Sequence, residues 1–162
     1  MAKSQHRTTV DLPPDDLVKI LTDPDFQVAR EKAQNAIDAS VKGVSRQGDR
    51  LVFEVHVTQH ARTKTGIDRS RTEQAVTTYT WDLKARTASW VYRDPHSERV
   101  DVRGSVRVEP SGSGSTEVDD MQIEVRIPLL GGQIEKLILK EVEKGWPRYE
   151  AVLRKFAAKA KG

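Results

Sequence analysis

The chain has 162 residues, 36% of them hydrophobic and 31% charged, with 27 Lys and Arg against 24 Asp and Glu for a formal net charge of +3. Such a length predicts one domain, residues 1–162, burying roughly 70% of the surface of the unfolded chain. Interleaved charge of both signs argues against a nucleic-acid footprint, which needs clustering, and the lack of cysteine excludes disulfides, thiolate metal sites and a cysteine nucleophile.

The N-terminal stretch MAKSQHRTTV has no apolar leader core, and no run approaches the ~18 apolar residues of a membrane span. The expectation is a soluble, cytoplasmic protein with no stable membrane insertion. Residues 5–11 (QHRTTVD) alternate as a first strand. Leu12-Pro13-Pro14-Asp15-Asp16 then opens a short helix to Leu21, with proline in the first turn and acids at the positive end of the dipole. It would bury Leu17, Ile20 and Leu21. Thr22-Asp23-Pro24 breaks it, and Asp25 is expected to cap a second short helix to about Gln34, with Phe26, Ala29 and Ala33 inward.

Strands follow. Residues 36–46 form a weakly patterned one, turned by Gln47-Gly48-Asp49. In the next, Leu51, Phe53, Val55 and Val57 share one face, while Glu54, His56, Thr58 and His60 share the other. Residues 61–73 (ARTKTGIDRSRTE) are polar and basic and read as a loop. Ala75, Thr77, Tyr79, Trp81 and Leu83 line one face of the strand after it, and Ala88, Trp90 and Tyr92 line the return strand. Residues 98–108 alternate most strictly, with Val100, Val102, Val106 and Val108 inward and arginines outward. Residues 109–115 are expected to turn, with SGSGS as a hairpin tip. The last strand then places Met121, Ile123, Val125 and Ile127 inward and ends at Pro128. Arg99, Arg103 and Arg107 would face Asp120 and Glu124 across that hairpin.

After a Gly131-Gly132 turn comes a long amphipathic helix. Ile134, Leu137, Ile138, Val142, Tyr149, Val152, Leu153 and Phe156 recur at three- and four-residue spacing. Pro147 removes one helical hydrogen bond and predicts a kink near Gly145. The order is strand, two short helices, about six antiparallel strands and a long terminal helix. It describes an α+β fold in which a curved antiparallel sheet of about seven strands wraps the C-terminal helix.

No HExxH, GxSxG, P-loop or GxGxxG occurs. His56 and His60 lie about 13 Å apart along a strand and do not share a metal; no metal or cofactor is expected. Asp119 and Asp120 are adjacent and so point to opposite strand faces. The basic residues Arg62, Lys64, Arg69 and Arg71 suit either a solvated flap or the attraction of an anionic group. Glu141, beside Leu137 and Ile138, is either a cavity acid or a stripe-edge residue reaching solvent. The inward aromatic residues Phe53, Tyr79, Trp81, Trp90 and Tyr92 either line a pocket or fill a core.

The element order resembles the helix-grip fold of the START/Bet v 1-like (SRPBCC) superfamily over nearly the whole chain. The run Val125-Arg126-Ile127-Pro128-Leu129-Leu130-Gly131-Gly132-Gln133-Ile134-Glu135-Lys136 is similar to the signature of its DUF2505 branch. The resemblance implies an apolar small molecule (lipid, sterol-like or polyketide-like) held between helix and sheet. The lining set is then Phe53, Val55, Tyr79, Trp81, Trp90, Tyr92, Ile134, Leu137, Ile138 and Glu141. No catalytic motif carries over, so a binder is preferred. A cyclase, dehydratase or hydrolase using a cavity acid or Tyr is the alternative, and a protein-interaction module a third class.

Overall fold

The computed structural model describes residues 1–63 and 66–162. In chain order the elements are β1 (Ala2–Val10), α1 (Pro14–Leu21), α2 (Pro24–Ala33), β2 (Asp38–Gln47), β3 (Arg50–Thr63), β4 (Gly66–Asp82), β5 (Thr87–Arg93), β6 (Val100–Ser111), β7 (Gly114–Val125) and α3 (Gly131–Lys161). The strands form one curved antiparallel sheet of order β1-β7-β6-β5-β4-β3-β2. From β2 to β7 each strand pairs with the next, and β1 closes the far edge on β7 through pairs such as His6 with Asp119 and Thr8 with Glu117. The ladder slips between Lys42 and Ser45 and between His60 and Ala61. Such extra residues bend a strand and raise its twist, and Gly43 supplies the positive φ of 62° that the first of them needs.

The helices cover the concave face unequally. α3 lies over β1 and β7 and against α1 and α2, while α2 packs on β2 and β3. The buried residues Gly145, Tyr149, Leu153 and Ala157 of α3 recur every four positions in the second half of the helix. In the first half Ile134, Ile138, Leu139 and Val142 are half-buried, and Leu137 is 64% exposed. Phe26 at 0% exposure anchors the packed end, edge-on to Tyr149 and Phe156 at centroid distances of 5.9 and 5.4 Å. Burying such a ring contributes roughly 1.5–3 kcal/mol.

Several local expectations are corrected. The described residues of 61–73 are strand rather than loop: β3 continues to Thr63 and β4 begins at Gly66, with Arg62 paired to Ile67 and Ala61 to Asp68. Backbone pairing overrides their polar composition, and Lys64 lies outside the described residues. Asp23, not Asp25, caps α2: its carboxylate accepts from the Asp25 amide at 2.9 Å, and Pro24 is already helical. The β6–β7 hairpin is tighter than expected, since Ser111 pairs with Gly114. β7 stops at Val125, and α3 includes both glycines, its entry closed by the Gly131 amide donating to the Ile127 carbonyl at 2.9 Å. Of the three arginines expected across the last hairpin, Arg107 reaches Asp120 at 3.2 Å, while Arg103 pairs with Asp101 of its own strand at 2.8 Å.

Candidate functional site

Strand register maps the concave face row by row. Leu51, Trp81, Ala88, Val106, Asp119 and His6 follow one another across the sheet. The next row is Phe53, Tyr79, Trp90, Gly104 and Met121, and beyond it Val55, Thr77, Tyr92, Val102 and Ile123. Side chains two apart share a face, so Glu117 and Asp119 point inward with Ile123 and Val125. Gly104 admits the Trp90 indole: a Cβ there would fall 2.5 Å from the ring and closer still to the Asp120 carbonyl.

Around those two acids the interior is polar. Tyr149 on α3 donates its hydroxyl to Glu117, 1% exposed, at 2.5 Å. Arg30 on α2 lies over the Tyr149 ring at 4.5 Å. Burial alone pulls the Arg30 guanidinium down, but Tyr79, Tyr149, Glu31 and Glu117 around it outweigh that and hold it protonated. Burial also pushes the Tyr79 phenol up to about 12 and the Tyr149 phenol well above its ordinary value. Asp119 is displaced furthest from carboxylate behaviour: burial first, then the neighbouring Glu117, raises its carboxyl well above 3.8, against a smaller lowering by Arg30. His6, across the ladder from Asp119, stacks on Trp146 at 4.1 Å and pairs with Glu150 at 2.8 Å. Among the described residues Thr8 Oγ1 and Trp146 Nε1 are buried and make no hydrogen bond, while the protonated Asp119 carboxyl is hydrogen-bonded to Glu117.

A second polar group sits at the far end of the sheet. Gln59 Nε2 donates to the Tyr92 hydroxyl at 3.1 Å and to Glu73 at 3.4 Å, and His96 Nε2 lies 3.2 Å from Glu73. Glu73, Asp94 and His96 bring one ligand atom each within 4.8 Å of the others, the set among the described residues with cation-binding spacing. Outside the sheet, Arg93, Ser97, Glu98, Asp101, Arg103 and Arg126 line a shallow, charged depression of about 440 Å³.

The residues named from sequence divide into three groups. Phe53, Val55, Tyr79 and Trp81 are buried on the concave face, with Phe53 and Tyr79 stacked at 5.2 Å. Trp90 and Tyr92 on the sheet, and Ile134 and Ile138 on α3, are half-buried. Leu137 and Glu141 stand apart on the solvent side, Glu141 paired with Lys144 at 3.3 Å. Sequence reasoning missed Glu117, Asp119 and Arg30. The signals were present: extending the alternation of Met121, Ile123 and Val125 two steps back gives Asp119 and Glu117, and Arg30 follows Phe26 by one helical turn. They were hidden by the expected turn over 109–115 and by treating Asp119 only as the neighbour of Asp120.

The fold is the helix-grip fold of START superfamily proteins. Its similarity to solved structures spans whole chains: a protein from Thermus thermophilus, TTHA0849, is 16% identical, covers 99% of this chain and 100% of its own, and superposes with a TM-score of 0.67. A START superfamily protein from Mycobacterium smegmatis is 13% identical over 95% of this chain and 98% of its own, TM-score 0.63. The Zhui aromatase/cyclase from Streptomyces sp. R1128 is 12% identical over 99% of this chain and 93% of its own, TM-score 0.60. Residues 5–156 match the model of a protein family of unknown function, DUF2505, and the chain belongs to that family. No curated protein matches it. No helix among the described residues is long and apolar enough to cross a membrane.

Proposed function

We propose that the protein binds an apolar small molecule of lipid, sterol-like or polyketide-like character between α3 and the concave face of the sheet, in the cytoplasm. The observation that carries this is the half-exposure of two apolar sets, one on the sheet and one on the helix. Trp90, Tyr92, Val100 and Val102 on the sheet and Ile134, Ile138 and Val142 on the helix stay partly solvated, while the opposite end of the same interface is closed around Phe26 and Leu153. Apolar side chains that a fold orients inward yet leaves wet gain roughly 25 cal/mol per Å² when a ligand covers them. Phe53, Val55, Tyr79 and Trp81 form the floor behind them; Leu137 and Glu141 are left out because both face solvent.

An enzymatic second reading is favoured by one contact, the buried Glu117 carboxylate beside the Tyr149 hydroxyl. This is the acid-and-phenol pairing that a cyclase, dehydratase or hydrolase acting on such a ligand would need. Glu141, exposed and ion-paired, does not serve it.

Native mass spectrometry of protein purified from its own host, followed by denaturing extraction, tests the binding reading. A stoichiometric apolar adduct, lost in a Trp90→Ala, Ile138→Glu double variant that keeps its fold, is the expected result. A clean apo mass combined with no Trp fluorescence change on titration with N-phenyl-1-naphthylamine would overturn it.

A further inference from the structure

We propose that Glu73, Asp94 and His96 form a site for a divalent transition-metal ion at the far end of the sheet. Three side chains hold the ion and leave a position for water or for an oxygen of a bound ligand. The site goes beyond the apolar-binding reading and does not depend on it. Its geometry is that of ligands around one ion. One atom of each residue lies within 4.8 Å of the others, and His96 Nε2 stands 3.2 Å from Glu73 Oε2. An imidazole nitrogen and a carboxylate oxygen bound to one zinc ion are about 3–3.4 Å apart, so an ion fits between these two atoms with little movement.

Burial is a second, independent observation. The Glu73 side chain is only 7% exposed, yet its ion-pair partner among the described residues is His96 rather than a lysine or arginine. Its contact from Gln59 Nε2 is long at 3.4 Å, and that amide lies closer to the Tyr92 hydroxyl, at 3.1 Å. An ionised carboxylate taken out of water needs a paired charge, and Asp94 adds a second negative group beside it. A protonated His96 would balance one of the two. A divalent cation balances both and leaves His96 neutral, the form that ligates metals. Arg62, the nearby cation, acts on Tyr92 less strongly than Asp94 does.

The surroundings hold the ligands in place. Asp94 Oδ1 accepts the His96 amide at 2.8 Å, and the Ser97 hydroxyl accepts the Asp94 amide at 2.8 Å, which fixes the turn carrying two of the ligands. Glu73 on β4 is set by its ladder partner Gln59 on β3. The Tyr92 phenol, raised by burial and then by Asp94, keeps its proton and hydrogen-bonds that carboxylate. Such outer contacts orient metal-binding side chains. An imidazole with two carboxylates suits zinc, manganese or iron(II) better than calcium, which takes oxygen ligands.

Calorimetric titration of zinc chloride into the full chain, treated with EDTA and desalted, tests the site. The expected result is a single ion per chain at micromolar affinity or tighter. Glu73→Gln, which keeps the buried shape, and His96→Ala, at an exposed position, should each weaken binding about tenfold or more. His56→Ala, which removes the histidine paired with Glu54, should leave it unchanged. In the wild-type chain, manganese(II) should broaden the NMR signals of the His96 and Tyr92 rings before those of His56, a readout that requires no variant to fold. Absence of saturable binding at millimolar zinc overturns the site. Binding undiminished in both Glu73→Gln and His96→Ala, or broadening centred on another histidine, also overturns it and marks an adventitious ion only.

Discussion

Asp119 and Glu135 are carboxyls displaced in opposite directions, and their effects on stability have opposite signs. Asp119 is raised, so the folded protein holds a proton that the unfolded chain releases. Stability therefore falls as pH climbs from the ordinary value of 3.8 towards the raised folded value. Asp119→Asn should flatten that slope and raise the melting temperature at neutral pH; thermal melts across pH would show it, and an unchanged slope would reject the burial account. Glu135 is lowered, chiefly because its Oε2 accepts the Val125 amide at 2.9 Å. Its contribution is present above 4.5 and fades as pH falls through the lowered value. Glu135→Ala should lower the urea midpoint at pH 7 and have less effect in acid. Tyr149→Phe removes the hydroxyl that pairs Glu117 and should cost about 1–3 kcal/mol in urea unfolding, the usual range for orphaning a buried polar group.

At the scale of elements, the β5–β6–β7 surface is shaped by one absent side chain. Gly104→Ala would push a methyl into the Asp120 carbonyl and the Trp90 ring, and such overpacking costs about 1–3 kcal/mol. The variant should show a displaced Trp90 fluorescence maximum and a lower urea midpoint; a wild-type spectrum would mean that the indole is not held there. Helix α3 is unevenly bound along its length. Leu137→Ser on its exposed face should stay within about 0.5 kcal/mol of wild type, whereas Leu153→Ala in the packed half should lose about 2–5 kcal/mol. Equal losses at the two positions would contradict the division of the helix into a packed and an open half.

For the whole molecule, closure at one end and opening at the other would let the proposed ligand complete the apolar core. A molecule that binds only the folded state stabilises it by about 2.7 kcal/mol at a hundredfold excess over its dissociation constant. The extracted host ligand should therefore raise the melting temperature in proportion to the logarithm of its concentration. A concentration-independent melting point would separate this protein from that behaviour.

Period-two alternation and the terminal helical stripe were enough to determine seven strands, two short helices and a long last helix. Each depends on local burial, which a strand or helix writes into its own residue order. The inward set Phe53, Tyr79, Trp81, Trp90 and Tyr92 was legible for the same reason. Periodicity alone did not decide how far each face is covered. Leu137 belongs to the apolar stripe yet is exposed, because α3 meets β1 and β7 rather than the middle of the sheet. Nor did local pattern bring Arg30 from α2 and Tyr149 from α3 to Glu117 and Asp119 on β7. That cluster joins residues up to 119 positions apart, from Arg30 to Tyr149, and its altered acidities come from burial and from charges that only the folded chain brings together.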